Sequence, residues 1–260
     1  MLKRLFFSAT LLAASTTALA DITGMVKYAG KAPEPTTIDM AAVAECANQH
    51  PDPVYDQSLL VGDNGGIENV VVSITPAKGQ KLPGAVPSQP AVLDQLGCMY
   101  IPHVVALMAG QTLLIKNSDP FMHNTHSLSQ ENPPFNKPQP NLDNKGIAIT
   151  DLQTPEYFRV KCDVHPWMEA YVAVMPNPYF AITDDSGKYT IKGTDKLPDG
   201  QYTLTAWQEQ LGTQEEMIKI IGGKASADFS FKPESARAQQ IKEIRLADLI
   251  KTSCCTAHAP

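Results

Sequence analysis

Three side chains that bind soft metal ions stand three residues apart in the segment KCDVHPWMEAYVAV, residues 161–174. They are Cys162, His165 and Met168. Pro166 lies among them and disfavours a helix, and the β-type runs on either side predict two strands joined by this stretch. We therefore expect a tight loop that can turn a thiolate, an imidazole and a thioether toward one point. Such a soft ligand set suits copper.

A copper site with one cysteine and a weak axial methionine needs a second histidine, which this loop does not contain. The segment IKNSDPFMHNTHS, residues 115–127, offers His123 and His126. The alternative interpretation is a buried thiol next to a surface histidine and a core methionine. Lone histidines such as His126, and His103 within a predicted strand, are more often structural than metal-binding.

The segments HVVALMAGQTLLIKNSDPFMHN (103–124) and TPEYFRVKCDVHPWM (154–168) together resemble the cupredoxins, and the short ligand loop is most similar to that of amicyanin, then plastocyanin. The resemblance implies a single type 1 copper ion. It implies the ligands His123, Cys162, His165 and the axial Met168. It also implies that Asn124 ties the two ligand loops together and that His126 is not a ligand.

The chain has short β-type runs separated by Gly, Pro, Asn and Asp, which predicts an all-β protein. In EYFRVKC, the alternation places Phe158, Val160 and Cys162 on the face that points to the core. The Pro-rich stretch from Leu128 to Asp143 is expected to be a long surface loop rather than a strand.

A second resemblance divides the chain further. FAITDDSGKYTIKGTDKLPDGQYTLTAW, residues 180–207, resembles part of a carboxypeptidase-regulatory or transthyretin-like sandwich. We expect a cupredoxin Greek-key β-sandwich inserted into this second, smaller sandwich, followed by a C-terminal helix. The expected ranges are a signal peptide at 1–20, sandwich pieces at 21–79 and 177–232, the cupredoxin unit at 80–176, and a helix with a flexible tail at 233–260.

The first 20 residues have a basic start, an apolar run and small residues ending at Ala20, which is typical of a cleaved signal peptide. We expect an exported, periplasmic protein without a membrane span. Without Lys3 and Arg4, 19 basic and 27 acidic residues leave a net charge of −8. That charge argues against nucleic acid as a partner.

Export permits disulfides, and Cys46 with Cys98 is the natural pair. An alternative is that Cys46 and His50 form half of a second metal site. The C-terminal tail contains three further candidate ligands for a soft metal: Cys254, Cys255 and His258.

Four protein ligands leave no open position on the copper for a substrate, so we expect a carrier of single electrons rather than an enzyme. Its partners would be a redox protein donor and a redox protein acceptor. They would dock on an apolar rim formed by Phe121, Pro166 and Trp167. A second hypothesis is a copper-handling protein that sequesters or delivers the metal. A third, an adhesive β module without metal, requires Cys162 in a disulfide.

Overall fold

The computed structural model describes residues 21–76 and 80–233, and this part of the chain is nearly all β. It contains one helical turn, α1 (Ala44–Ala47), and one 3-10 turn (Thr194–Lys196). The all-β prediction is confirmed. The predicted signal peptide, most of the predicted C-terminal helix, and Cys254, Cys255 and His258 lie outside the described residues.

The strands in chain order are β1 (Ile22–Tyr28), β2 (Val71–Thr75), β3 (Ala91–Leu96), β4 (Met99–Ile101), β5 (Val104–Met108), β6 (Leu113–Asn117), β7 (His123–Ser127), β8 (Asn136–Gln139), β9 (Asp143–Ile149), β10 (Glu156–Lys161), β11 (Glu169–Met175), β12 (Phe180–Ile182), β13 (Lys188–Ile191), β14 (Gly200–Gln208), β15 (Gly212–Ile220), β16 (Ala225–Ser226) and β17 (Phe229–Phe231). They form four sheets.

Two sheets face each other across one apolar core and carry every predicted copper ligand; we call them the ligand-bearing sandwich. Sheet I has the order β5-β11-β10-β7-β8, and sheet II has the order β4-β3-β6-β9. Leu93 and Ile115 from sheet II meet Val160 and Val172 from sheet I, all fully buried. This core gives the ligand loops a rigid base.

The other two sheets form a second core, and we call them the flanking sandwich. Sheet III has the order β12-β2-β14-β15, and in sheet IV β1 pairs with β13, β16 and β17. Strand β2 precedes the ligand-bearing sandwich in the chain, yet its neighbours β12 and β14 follow it. The chain therefore leaves sheet III after β2 and returns to it at β12.

The two sandwiches pack back to back through sheets I and III. Strands β2 and β11 are covered on both faces, which explains why their sequences read as continuous apolar runs rather than as alternating ones. At this junction Tyr157 of β10 stacks on Trp207 of β14, with ring centroids 4.5 Å apart. The junction also buries a polar pair, since His103 hydrogen-bonds to Glu209 and both side chains are under 5% exposed.

The segment between β1 and β2 does not follow the expected division at residues 21–79. Its ends belong to the flanking sandwich, but its middle crosses to the other core. Met40 and Cys46 are buried there, and Ile38 and Val54 pack against the same cluster. The apolar side chains around α1 therefore complete the ligand-bearing sandwich.

The expectation of a strandless loop from Leu128 to Asp143 is wrong, because this stretch contains β8. Strand β8 lies at the edge of sheet I and, among the strands that the structure describes, pairs with β7 alone. An edge strand tolerates Pro138, which lacks an N–H to donate. Before β8, the carboxylate of Glu156 accepts hydrogen bonds from the backbone N–H groups of residues 130–132.

His103→Ala is predicted to lower the free energy of unfolding by about 3–5 kcal/mol, since it leaves the Glu209 carboxylate buried without its partner. Urea denaturation measures this loss. The double variant His103→Leu/Glu209→Met removes the stranded charge and should regain most of the stability. As a control, Arg159→Ala breaks a partly exposed ion pair with Glu169 and should cost about 1 kcal/mol or less. Equal losses for His103→Ala and Arg159→Ala would contradict the prediction.

Glu156→Gln is predicted to remove a pH-dependent part of the stability. Burial acts to raise the pKa of Glu156, but the hydrogen bonds from residues 130–132 outweigh it and hold the pKa below the usual 4.5. A depressed folded pKa contributes stability above the unfolded value, and that contribution disappears as the pH falls through the folded value. The difference in unfolding free energy between wild type and variant should thus be constant near neutral pH and shrink below about pH 4.5. A difference that does not change with pH would refute this.

Candidate metal centre

The predicted tight loop lies between β10 and β11 and is closed by two backbone hydrogen bonds. The N–H of Cys162 donates to the carbonyl of Met168 over 3.0 Å, and the N–H of Met168 donates to the carbonyl of His165 over 2.9 Å. The predicted alternation in β10 is confirmed, because Phe158, Val160 and Cys162 all point into the core. The loop thus presents its sulfur on the inner face of sheet I.

Three of the predicted ligands converge in the core. The Nδ1 atoms of His123 and His165 lie 3.0 Å apart, and the Cys162 sulfur lies 3.7 Å from Nδ1 of His165. One donor atom from each of the three residues lies within 4.8 Å of the other two. His123 reaches this point from the first residue of β7, whose side chain faces inward. Cys162 is a free thiol, so the disulfide that the third hypothesis requires is not formed.

Met168 and His126 occupy different surroundings. Met168 is fully buried in the same apolar cluster as Cys162, at the end of the loop that carries the other ligands. His126 faces the outer side of sheet I, where its Nδ1 lies 3.0 Å from a carboxylate oxygen of Asp163. His126 does not enter the cluster of donor atoms.

The carboxylate of Asp119 fixes the ring of His123. Nε2 of His123 lies 2.8 Å from Oδ2 of Asp119, which leaves Nδ1 directed at the other ligands. The same carboxylate accepts the backbone N–H groups of Gly97 and Cys98, each over 2.9 Å. Carboxylates that hold the second nitrogen of a metal-binding histidine set its tautomer and orientation. Asp119 lies in the segment 115–127 that supplies His123, but the sequence predicted no role for it.

The disulfide between Cys46 and Cys98 covers His165. The structure forms this bond, and both sulfurs and a ring nitrogen of His165 lie within 4.8 Å of one another. The indole N–H of Trp167 donates to the carbonyl of Cys98 over 3.1 Å. The side chain of His165 is only 3% exposed because these groups pack over it. His50, the suggested partner of Cys46 in a second metal site, instead contacts the carbonyl of Gly97.

The expected docking rim is partly exposed. Pro166 is exposed, and Phe121 and Trp167 are half-buried. Phe121 lies edge-on to His123, with ring centroids 5.3 Å apart, and Trp167 lies 5.4 Å from His165. The rings of Phe121 and Trp167 therefore lie between the predicted ligands and solvent.

Asn124 connects the two ligand loops. Its side-chain oxygen accepts the backbone N–H of Asp163 over 2.8 Å and lies 3.4 Å from the Cys162 sulfur. Its side-chain NH₂ donates to Asn136 and to the carboxylate of Asp163. The cupredoxin resemblance implies this role for Asn124, whereas the sequence predicted no role for Asn136 or Asp163.

The surroundings of Cys162, His123 and His165 shift the pKa of each side chain. Burial acts to raise the pKa of Cys162, but a hydrogen bond with His123 and backbone N–H groups, among them that of Asn124, outweigh burial and lower it. Burial acts to lower the pKa of His123, and hydrogen bonds with Asp119 and Cys162 outweigh that and raise it. The pKa of His165 is lowered by burial and by the nearby His123. Cys162 is thereby biased toward thiolate and His165 toward the neutral imidazole, the forms that bind metals.

These donors fit copper. Two imidazole nitrogens and a thiolate sulfur, with a thioether on the same loop, form a soft mixed set of the kind that favours copper over magnesium or calcium. The two Nδ1 atoms lie 3.0 Å apart, and the second ring nitrogen of His123 already contacts Asp119. His123, Cys162 and His165 would hold the ion, and Met168, at the end of the same loop as Cys162 and His165, is a candidate for a further, weaker ligand.

Comparison with known proteins yields structural likenesses only. No protein-family model and no curated protein matches the sequence. The chain is similar to amicyanin from Paracoccus versutus, with 20% identity and a TM-score of 0.30 over 40% of this chain and 97% of that one. A purple cupredoxin from Nitrosopumilus maritimus gives 21% identity and a TM-score of 0.28 over 33% of this chain and 99% of that one.

A third similar structure is the Cu-containing nitrite reductase of Thermus scotoductus. It gives 23% identity and a TM-score of 0.29, and the match covers 38% of this chain and 26% of the reductase. The chain therefore spans about a quarter of that enzyme's length. At these identities and TM-scores, the likenesses decide no function, and the contacts within the chain carry the proposals below.

Asp119→Asn is predicted to weaken copper binding about 10- to 100-fold, because the amide removes the charge that orients His123. Competition with a Cu(I) chelator measures the change in dissociation constant. Asp151→Asn, at an exposed carboxylate remote from the ligand loops, is the matched control and should leave the affinity unchanged. Equal affinities for Asp119→Asn and wild type would show that the carboxylate does not support the ligand.

Proposed function

We propose that this protein is a type 1 copper protein that carries single electrons between redox partners. The observation that carries the proposal is the convergence of His123, His165 and Cys162, with their donor atoms within 4.8 Å and their side chains almost fully buried. When bound, copper would supply the chemistry of gaining and losing one electron between Cu(I) and Cu(II).

The chain's own residues would keep the ligands in place through both oxidation states. His123 is held from behind by Asp119, His165 is covered by the disulfide, and Cys162 is at the end of a strand whose backbone is paired on both sides. Fixed ligands limit rearrangement between the geometries that Cu(I) and Cu(II) prefer, and electron transfer is then fast. The surrounding core also keeps water away from the donor atoms.

A carrier is a better fit than an enzyme. Metal enzymes keep a position open for water or substrate. Here the core and the disulfide cover the donors on His123, Cys162 and His165, and Met168 is fully buried. An electron needs no such opening, since it can cross a few ångströms of packed side chain.

Redox partners would dock where the aromatic rings bring the ligands closest to solvent. We assign this role to the rim of Phe121, Pro166 and Trp167. Export to the periplasm, predicted from residues 1–20, would place the protein among other exported redox proteins. In the residues that the structure describes, no helix is long and apolar enough to cross a membrane. The flanking sandwich, which we infer to be transthyretin-like, would serve as a spacer or binding module.

The copper-handling hypothesis has less support. Its additional sites were Cys46, His50 and the C-terminal cysteines. Cys46 is in a disulfide and the ring of His50 contacts the carbonyl of Gly97, whereas the C-terminal cysteines lie outside the described residues. A buried, pre-oriented site also suits retention of the metal better than transfer.

Adding one equivalent of Cu(II) to the purified protein is predicted to give a strong visible sulfur-to-copper charge-transfer band. Cys162→Ser removes the thiolate and should abolish the band. Ser230→Ala, at an exposed serine of strand β17 in the flanking sandwich, is the control, and the band should remain. A colourless wild-type protein, or a band that survives in Cys162→Ser, would refute the copper assignment.

The same sample separates a carrier from a handling protein. We expect repeated reduction and reoxidation to restore the full band, with no copper lost to a chelator in solution. Loss of most of the copper within one cycle would favour the handling hypothesis instead.

A further inference from the structure

One exposed carboxylate, next to the ligand loops, contacts four side chains. Asp163 follows Cys162 in the chain. Its carboxylate accepts hydrogen bonds from the side-chain NH₂ groups of Asn124 and Asn136, each over 2.9 Å. It also lies 2.8 Å from Nζ of Lys161 and 3.0 Å from Nδ1 of His126. The ligand function assigned above uses Asn124 but none of the other groups.

Sheet register brings these groups together. Lys161 of β10 pairs with His126 of β7, and His126 pairs with Asn136 of β8, so the three residues form one row across three strands. Residues opposite one another in adjacent strands point to the same face. The row lies on the outer face of sheet I, and Asp163 folds back over it from the loop.

Asn136 gives the Pro-rich stretch a role in the site. Strand β8 adds an edge to sheet I, and its pairing places Pro138 opposite Asn124 and Asn136 opposite His126. From there Oδ1 of Asn136 accepts a hydrogen bond from Asn124 over 2.7 Å, while its NH₂ donates to Asp163. Asn124, Asn136 and Asp163 form a closed triangle of hydrogen bonds.

The triangle determines which way the Asn124 amide faces. Its NH₂ has two acceptors, Asn136 and Asp163, so its oxygen must face the backbone N–H of Asp163 and the Cys162 sulfur. A flipped amide would place its NH₂ against that N–H, donor against donor, and would bring its oxygen against the Asp163 carboxylate. Asn124 is only 4% exposed, so water could not easily replace the lost partners.

We propose that Asp163 and Asn136 are positioning residues for the copper site, acting through Asn124. They hold the amide oxygen of Asn124 on the N–H of Asp163, which fixes the loop of His123 against the loop of Cys162. The proposal rests on the proposed copper function and deepens it. The ion pairs of Asp163 with Lys161 and His126 are partly exposed and individually weak, so their role is to keep the carboxylate in place.

The metal-free protein provides the first test. Solvent exchange of the Asn124 side-chain NH₂ protons, followed by NMR, should be at least about tenfold faster in Asp163→Ala than in wild type, because one of the two acceptors is lost. Asp163→Asn keeps an acceptor oxygen for Asn124 and should remain near the wild-type rate. Unchanged exchange in Asp163→Ala would overturn the proposal.

A double-mutant cycle on copper affinity provides the second test. Asp163→Ala and Asn124→Ala should each weaken copper binding about tenfold, and the double variant should bind no more weakly than Asn124→Ala. If the double variant weakened copper binding by the product of the two single factors, Asp163 would act independently of Asn124, as a simple charge near copper would. Asp151→Ala, at an exposed carboxylate remote from the site, controls for the change in net charge.

The outcomes also separate this proposal from the proposed function. A wild-type chain that gives no charge-transfer band contradicts the copper function, yet the exchange measurement still decides whether Asp163 holds Asn124. A wild-type band with multiplying effects contradicts the positioning role alone. If Asp163→Ala does not fold, Asn136→Ala removes the other acceptor of the Asn124 NH₂ and is judged by the same two measurements.

Discussion

The buried carboxylate of Asp119 is the contact on which the site depends. It joins the ring of His123 to the backbone of Gly97 and Cys98, which is the turn that carries the disulfide. Burial of a charge is costly unless it is fully hydrogen-bonded, and here three N–H groups supply the bonds. His123, the turn and the disulfide that covers His165 are therefore fixed relative to one another.

The fold makes this arrangement possible by stacking four sheets. Sheet I is covered on one face by sheet II and on the other, along β11, by sheet III. The ligand loops lie at one end of sheet I, where the side chains of His123, Cys162 and His165 are buried on its inner face. Side chains in such an environment have few alternative rotamers, so the donor atoms are pre-oriented for the copper ion that we propose.

Local patterns predicted what depends on neighbours in the chain. The alternation in β10 oriented Cys162, and Pro166 predicted the loop, because both effects act over a few residues. Sheet register and sheet order, which bring distant segments together, were not accessible in the same way. Thus Asn136 was not recognised as a partner of Asn124. The sequence predicted a loop at Pro138, because a proline is tolerated in a strand only at the edge of a sheet and the edge position of β8 depends on sheet order. The burial of His165 was missed because its cover comes from Cys46, more than a hundred residues earlier.

The bond between Cys46 and Cys98 also has a mechanical consequence. Cys46 belongs to a segment that begins and ends in the flanking sandwich, whereas Cys98 belongs to the ligand-bearing one. The disulfide thus adds a covalent link between the two sandwiches. It acts together with the stacked rings of Tyr157 and Trp207 and the buried pair of His103 and Glu209. These three contacts, one covalent, one aromatic and one polar, suppress hinge bending between the two sandwiches. A redox partner of the kind we propose would therefore meet a single preset shape, and little conformational entropy would be lost on association.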